Sequence, residues 1–163
     1  MGKSILSHSR IDEIIINIKT DDFAKEFIKL VDARLEKSYV FHRNIFHRRI
    51  DFKGSIFRFA WNGWDLFNTI SNGEIEFESK DQKTYISHKI YFTETFTIAL
   101  LFTLIPITIG GDWPIRLFVF LLIWLSYITT YLISIYRFNS YIAQTLIQVN
   151  SKVGYEKKEI IKS

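Results

Sequence analysis

Residues 117–136 read LFVFLLIWLSYITTYLISIY, a run of 20 residues without a formal charge. At about 1.5 Å of rise per residue a helix of that length covers the roughly 30 Å hydrocarbon core of a bilayer, so the run reads as a transmembrane helix. A second apolar run, TFTIALLFTLIPITI, precedes it over 95–109. It is shorter and reads as a short span, or as one that thins the bilayer locally, with Pro106 in its last turn where few carbonyls remain to be disrupted. Gly110, Gly111, Asp112, Trp113 and Pro114 then supply a tight turn with Trp113 at interfacial depth. Two spans joined this closely form an antiparallel hairpin.

Working outward, the charge distribution sets this region apart. The 163 residues are 48% hydrophobic, 17% aromatic and 23% charged, with a mean hydropathy of +0.08. Residues 1–92 carry 15 Lys and Arg against 13 Asp and Glu, 93–136 carry 1 against 2, and 137–163 carry 5 against 2. So uneven a chain is neither a uniform globular domain nor a disordered one, and its basic balance is not one nucleic-acid stripe. The absence of cysteine excludes disulfides, thiolate metal sites and a cysteine nucleophile. His88 and Lys89 precede the first span, and Arg137, Lys152, Lys157 and Lys158 follow the second, whereas the turn offers Arg116 alone. The positive-inside rule therefore puts both termini in the cytoplasm. The first 20 residues carry Lys3, Arg10, Asp12, Glu13 and Lys19 with no apolar run and do not read as a signal peptide.

The spacing divides the chain into a cytosolic α+β domain over 1–92, a transmembrane hairpin over 93–136 (helices about 94–109 and 116–136, turn 110–115), and a cytosolic helical extension and tail over 137–163. In the first part, EIIINIK over 13–19 predicts a strand, and Thr20, Asp21 and Asp22 follow as helix-capping material. Over 22–37 Phe23, Phe27, Leu30, Val31 and Leu35 recur every three to four residues, which predicts an amphipathic helix. Four strand-like runs follow at 55–61, 64–70, 74–79 and 84–92, divided by Asn62-Gly63, Asn72-Gly73 and a turn near Asp81-Gln82. Asn-Gly favours type I′ hairpins because both central residues take positive φ. These turns predict the pairs Trp61 with Trp64, Phe59 with Leu66, Ile70 with Ile75, Asn68 with Phe77, Phe77 with Ile86, and Ile75 with His88. One face then collects Phe57, Phe59, Trp61, Trp64, Leu66, Ile70, Ile75, Phe77, Ile86 and Ile90, and the other holds Arg58, Asp65, Glu74, Glu76, Glu78 and Lys89. The fold class is thus an α+β membrane protein: an N-terminal strand, one amphipathic helix, a four-stranded antiparallel meander, a two-helix transmembrane hairpin and a C-terminal helical extension. In that extension Ile142, Leu146, Val149 and Val153 form a short seam that docks on the domain or on another copy.

Three groups of residues invite a functional reading. FHRNIFHRR over 41–49 gathers His42, Arg43, His47, Arg48 and Arg49 around two Phe; it reads either as an anionic lipid or ligand contact or as a solvated connector. On the second span Ser126, Thr130 and Ser134 recur at steps of four beside Tyr127 and Tyr131, a spacing that permits close helix approach, within the hairpin or between copies. Glu94 and Thr97 are polar groups near membrane depth, where Glu94 either complements the helix dipole or forms an intramembrane polar site. His88, on the apolar face, reads as a hydrogen-bonded core histidine. His42 and His47 are poorly spaced for a metal, and no phosphate loop, nucleophile elbow or zinc signature is present. No catalytic residue, metal or cofactor is expected.

This order of elements over 13–136, with the strand wording around Phe52-Lys53-Gly54 and Gly73-Glu74-Ile75, resembles small bacterial membrane proteins with two helices and an N-terminal cytosolic domain, a group without assigned chemistry. The resemblance implies a bacterial inner membrane and no activity. The expected function is that of a non-enzymatic integral membrane protein whose membrane-apposed domain binds a partner or ligand, as an accessory, adaptor or sensor subunit. The alternative is a homo-oligomeric pore, channel or membrane-perturbing effector built from the hairpin. The expected partners are the bilayer and either a second copy or another membrane protein, not nucleic acid.

Overall fold

The computed structural model describes residues 7–14, 19–38, 40, 42–54, 67, 69–80, 83–108 and 112–160. Their order is β1 (Ser7–Ile14), α1 (Thr20–Lys37), β2 (His42–Ile45), β3 (Arg49–Lys53), β4 (Asn72–Lys80), β5 (Lys83–Tyr91), α2 (Thr93–Thr108) and α3 (Trp113–Ile160). The strands form one antiparallel sheet in the order β1-β5-β4-β3-β2. The fold is α+β with one long apolar helix.

The β4–β5 hairpin follows from its alternation. Ile75, Phe77, Ile86, His88 and Ile90 are buried on one face, while Glu76 and Glu78 are exposed on the other. Phe77 pairs with Ile86 and Ile75 with His88, the expected register, and Glu74, Glu76 and Glu78 stand opposite Lys89, Ser87 and Tyr85. Helix α1 lays Phe23, Phe27, Val31 and Leu35 on the apolar face, where Phe23 and Phe27 meet Phe77 edge-on with centroids 6.0 and 5.1 Å away. The third layer component is the far half of α3. Phe138, Ile142 and Val149 are buried in the same core, with Leu146 partly buried beside them, so this part of the seam docks on the domain, while the Val153 side chain lies outside what is described. Each fully buried Phe or Ile contributes about 1.5–3 kcal/mol.

Three expectations are corrected. The described strand β1, Ser7–Ile14, begins six residues ahead of the expected 13–19 and shares Glu13 and Ile14 with it, while 15–18 lie outside the described residues; its sequence SHSRIDEI has a weak apolar pattern, and its pairing with β5 fixes it instead. Helix α1 begins at Thr20, whose hydroxyl is bonded to that of Thr84 at 2.9 Å, and Lys19 is the capping position, without a side-chain cap. Third, Asn72-Gly73 is not a turn. Both lie in β4, where Asn72 opposes Lys53 and Gly73 opposes Phe52, so Ile75 pairs with Ile50 on that side rather than with Ile70. Phe67 and Thr69 lie in turns and Ser71 in a bend, instead of in the end of a strand. The missed partner is the β2–β3 hairpin, which takes the place next to β4 that the expected meander gave to 64–70. The pairs Trp61–Trp64 and Phe59–Leu66 fall outside the described residues, as do Asn68, the expected partner of Phe77, and Phe57, Arg58 and Asp65.

Gly73 has a packing reason rather than a turn reason. A Cβ there would overlap the ring of Phe52, which lies directly over the glycine. Gly73→Ala should therefore lower stability by about 1–3 kcal/mol through overpacking, and Phe52→Leu in the same chain should return part of it. Urea unfolding of the single and double variants measures this; a Gly73→Ala midpoint equal to that of the parent would contradict the close approach.

Candidate functional site

Where β5 ends and α2 begins, the 69–71 turn, the start of α2, the middle of α3 and the start of β1 interlock. The 69–71 turn holds the start of α2 at two points: Ser71 Oγ accepts from the Glu94 backbone N–H at 2.8 Å, and Thr95 Oγ1 donates to the Thr69 carbonyl at 2.9 Å. Ser71 thus satisfies one of the donors that a helix N-terminus leaves open. Thr69 Oγ1 also meets Ser134 Oγ of α3 at 2.6 Å, and Ser134 donates to its own Thr130 carbonyl at 2.7 Å. Phe92 packs edge-on against Tyr131 at 4.8 Å, and the Tyr131 hydroxyl donates to the Ser7 carbonyl at 3.4 Å. The strand β5 therefore passes into α2 without slack, with α3 clamped to both.

One turn further along α3, His88 and Asn139 join. His88 is 2% exposed, with Nε2 2.9 Å from Asn139 Oδ1 and its ring 5.3 Å from that of Phe138. Its Nδ1 meets no partner among the described residues. In the tautomer that carries its proton on Nε2, the ring donates to Asn139 Oδ1. Burial pushes its pKa below the usual histidine value, and the Asn139 hydrogen bond opposes that shift. The core histidine expected from the alternation is in place, but Asn139 was missed; its signal is a polar residue on the same α3 face as Ile142 and Leu146.

Beyond the joint, α2 and the first half of α3 pair along aromatic contacts: Phe96 meets Trp124 at 5.9 Å and Tyr127 at 5.7 Å, and Tyr127 stacks on Tyr131 at 6.2 Å. Asp112 caps α3 through its carbonyl, which accepts from the N–H groups of Ile115 and Arg116, and Pro114 sits in the first turn where no donor is needed. Of the expected assembly residues, Ser134, Tyr127 and Tyr131 are used within the chain. Ser126 and Thr130 instead line a groove of about 310 Å³ between the helices, with Thr95, Ala99 and Phe102 across it. Thr97 donates to the Thr93 carbonyl of its own helix at 2.8 Å, and Glu94 lies in the first turn of α2.

The cationic segment is a hairpin whose charges are answered locally. Arg43 pairs with Asp32 at 2.7 Å, Arg48 with Asp21 at 2.5 Å, and Arg49 with Asp51 at 2.7 Å and Glu74 at 3.2 Å. His47 also approaches Asp21, at 3.2 Å, while His42 is exposed at the start of β2. The hydrogen bond from Arg48 holds the Asp21 carboxyl below its usual pKa. The hairpin tip lies level with Phe77 and Ile86, since Phe77 N–H donates to the Arg48 carbonyl at 2.8 Å. From Ile86 to Phe92 the chain advances roughly 20 Å at the usual strand rise, so the tip and the start of α2 occupy opposite ends of the sheet.

Among the described residues no three His, Cys, Asp or Glu side chains converge as a metal site. No family model, curated protein or solved structure matches the chain.

Because the folded His88 resists protonation, the unfolded chain binds the extra proton first. Stability should be complete above about pH 6.5 and fall as pH drops toward the lowered folded pKa, with a slope of at most about 1.4 kcal/mol per unit. His88→Gln should flatten the urea midpoint between pH 7.5 and 5; an unchanged slope would place the titration elsewhere.

Proposed function

We propose that the chain is a non-enzymatic integral membrane protein, anchored by α2 and the first half of α3, whose membrane-apposed domain holds a partner or ligand as an accessory, adaptor or sensor subunit. The observation that carries the reading is an exposed apolar band. Helix α3 contains an 18-residue window of mean hydropathy 2.0 of which 11% is buried, and the shorter α2 is apolar beside it. Among the described residues, 17 large apolar side chains over 100–136 are exposed, Leu125 at 61% and Phe118 at 63%. A core helix of a soluble protein is covered by its neighbours, and soluble surfaces rarely carry apolar patches beyond a few hundred Å². Moving each half-exposed side chain from water to hydrocarbon gains on the order of 1 kcal/mol, and the band as a whole on the order of 15 kcal/mol.

The bands and basic flanks support a hairpin in a bacterial inner membrane with both termini in the cytoplasm. The domain then stands on the bilayer through the Ser71, Thr69 and His88 joint. Its distal hairpin, 20 Å or so from α2 by strand rise, faces the cytosol rather than lipid. A second reading, self-assembly of the hairpins into a pore or effector, draws on one feature: Ser126 and Thr130 leave the α2–α3 groove open to a ridge from another copy.

The native chain has no cysteine, so single introduced cysteines test the arrangement. The protein should resist alkaline extraction from membranes. Asp112→Cys should react with an impermeant maleimide on intact cells, and Glu78→Cys only after permeabilisation; the reverse pattern would invert the topology, and alkaline release would end the membrane reading. Ser126→Cys should remain monomeric under oxidation unless hairpins assemble through the groove. Photocrosslinkers on the exposed domain surface should join it to a protein or small ligand, and none at any position would remove the docking role.

A further inference from the structure

Among the described residues no strand pairs with the outer edge of β2. In the β2–β3 ladder Phe46 N–H donates to the Arg49 carbonyl at 2.8 Å. By the alternation of an antiparallel pair, the main-chain groups of Arg43 and Ile45 then point away from β3. Opposed residues share a face, so Ile45 faces the α1 side with its partner Ile50. Yet Ile50 is 0% exposed and Ile45 is 54% exposed, with Phe46 at 55% next to it. The apolar layer runs one strand past the cover that α1 gives it. There it borders a cleft of about 460 Å³ between α1 and the hairpin, lined by Lys25, Ile28, Lys29, Ile45 and Phe46 among others.

The charges around this cleft are asymmetric. Its acidic neighbours are occupied: Asp32 by Arg43, Asp21 by Arg48 and His47, and Glu26 by Lys152 at 2.9 Å. The Lys152 hydrogen bond holds Glu26 below its usual pKa. Lys25 and Lys29 are one turn apart on α1, exposed, and in no ion pair among the described residues. A helix beside an open strand edge is the setting in which an extended peptide adds as a further strand.

We propose that β2 is a docking edge for an extended acidic segment of a protein partner. Its main chain pairs with Arg43 and Ile45, an apolar side chain enters the cleft beside Ile28 and Ile45, and carboxylates meet Lys25 and Lys29. A second copy fits poorly, because joining two β2 edges around a twofold axis brings both lysine pairs together. This rests on the docking role above and names its surface and the chemistry of its partner.

The test uses the full chain in its native membrane with p-benzoylphenylalanine at position 46, and a parallel chain with the same probe at position 78 on the outer sheet face. The expected product at 46 is a cross-link to a segment of another protein rich in Asp or Glu with at least one large apolar residue. Lys25→Glu with Lys29→Glu should cut its yield at least about ten-fold, and exchanging the partner's acids for Lys should restore it. Unchanged urea midpoints show that the charge variants fold. A neutral or basic segment, a second copy, a lipid adduct, or a yield indifferent to charge reversal would overturn the inference. Protein adducts at 78 with none at 46 would overturn this surface alone, and no protein adduct at either position or elsewhere on the domain would overturn the docking role as well.

Discussion

Helix α3 runs unbroken from Trp113 to Ile160, 48 residues and about 72 Å, while the character of its neighbours changes completely along it. Over 113–127 it packs aromatic side chains on α2 and leaves most of its large apolar side chains exposed; its second half completes a core with α1 and the sheet. A continuous hydrogen-bond ladder leaves no hinge between the two regimes. The change therefore occurs within about three turns, and the groups that manage it are Tyr131, Ser134, Phe138 and Asn139. Tyr131 reaches β1, Ser134 the 69–71 turn, and Phe138 and Asn139 both reach His88 of β5. Polar contacts are economical here because the 69–71 turn and the start of α2 bring open backbone donors and acceptors to one place.

That joint explains why the domain cannot swing freely. Strand β5 enters α2 across a single residue, Phe92, which is itself buried against Tyr131. In the proposed arrangement the domain's orientation to the bilayer is fixed by packing, so one end of the sheet faces lipid and the other faces cytosol. The chemistry of the two ends matches this polarity. The near end is built from threonine, serine and aromatic residues, and the far end from ion pairs between α1 and the β2–β3 hairpin.

The sequence made legible what rests on strict alternation or long apolar runs. The β4–β5 register, the α1 stripe and the two apolar helices follow from one local pattern each. The β2–β3 hairpin escaped because its charges outnumber its apolar positions: Ile50 and Phe52 alternate with Asp51 and Lys53 over only five residues. Asn72-Gly73 misled for a related reason, since the glycine answers the Phe52 ring across the sheet and no local signal records a partner on another strand. The Arg cluster read as one cationic feature, but its counter-charges Asp21 and Asp32 sit on α1 and Glu74 on β4, far away in sequence. Asn139 and the 69–71 turn were likewise visible only once distant segments met.

The division of α3 between lipid and protein is tested most directly by spin labels at single cysteines along 115–150 of the otherwise cysteine-free chain, in bilayers, with collision by oxygen and by a water-soluble nickel complex. Labels at Phe118, Leu125 and Leu132 should collide with oxygen and be shielded from nickel, while those at Ile142 and Val149 should be immobile and inaccessible to both. Nickel access at 118 and 125 equal to that at exposed Ile147, or free motion at 142 and 149, would contradict a single helix shared by a bilayer and a folded core.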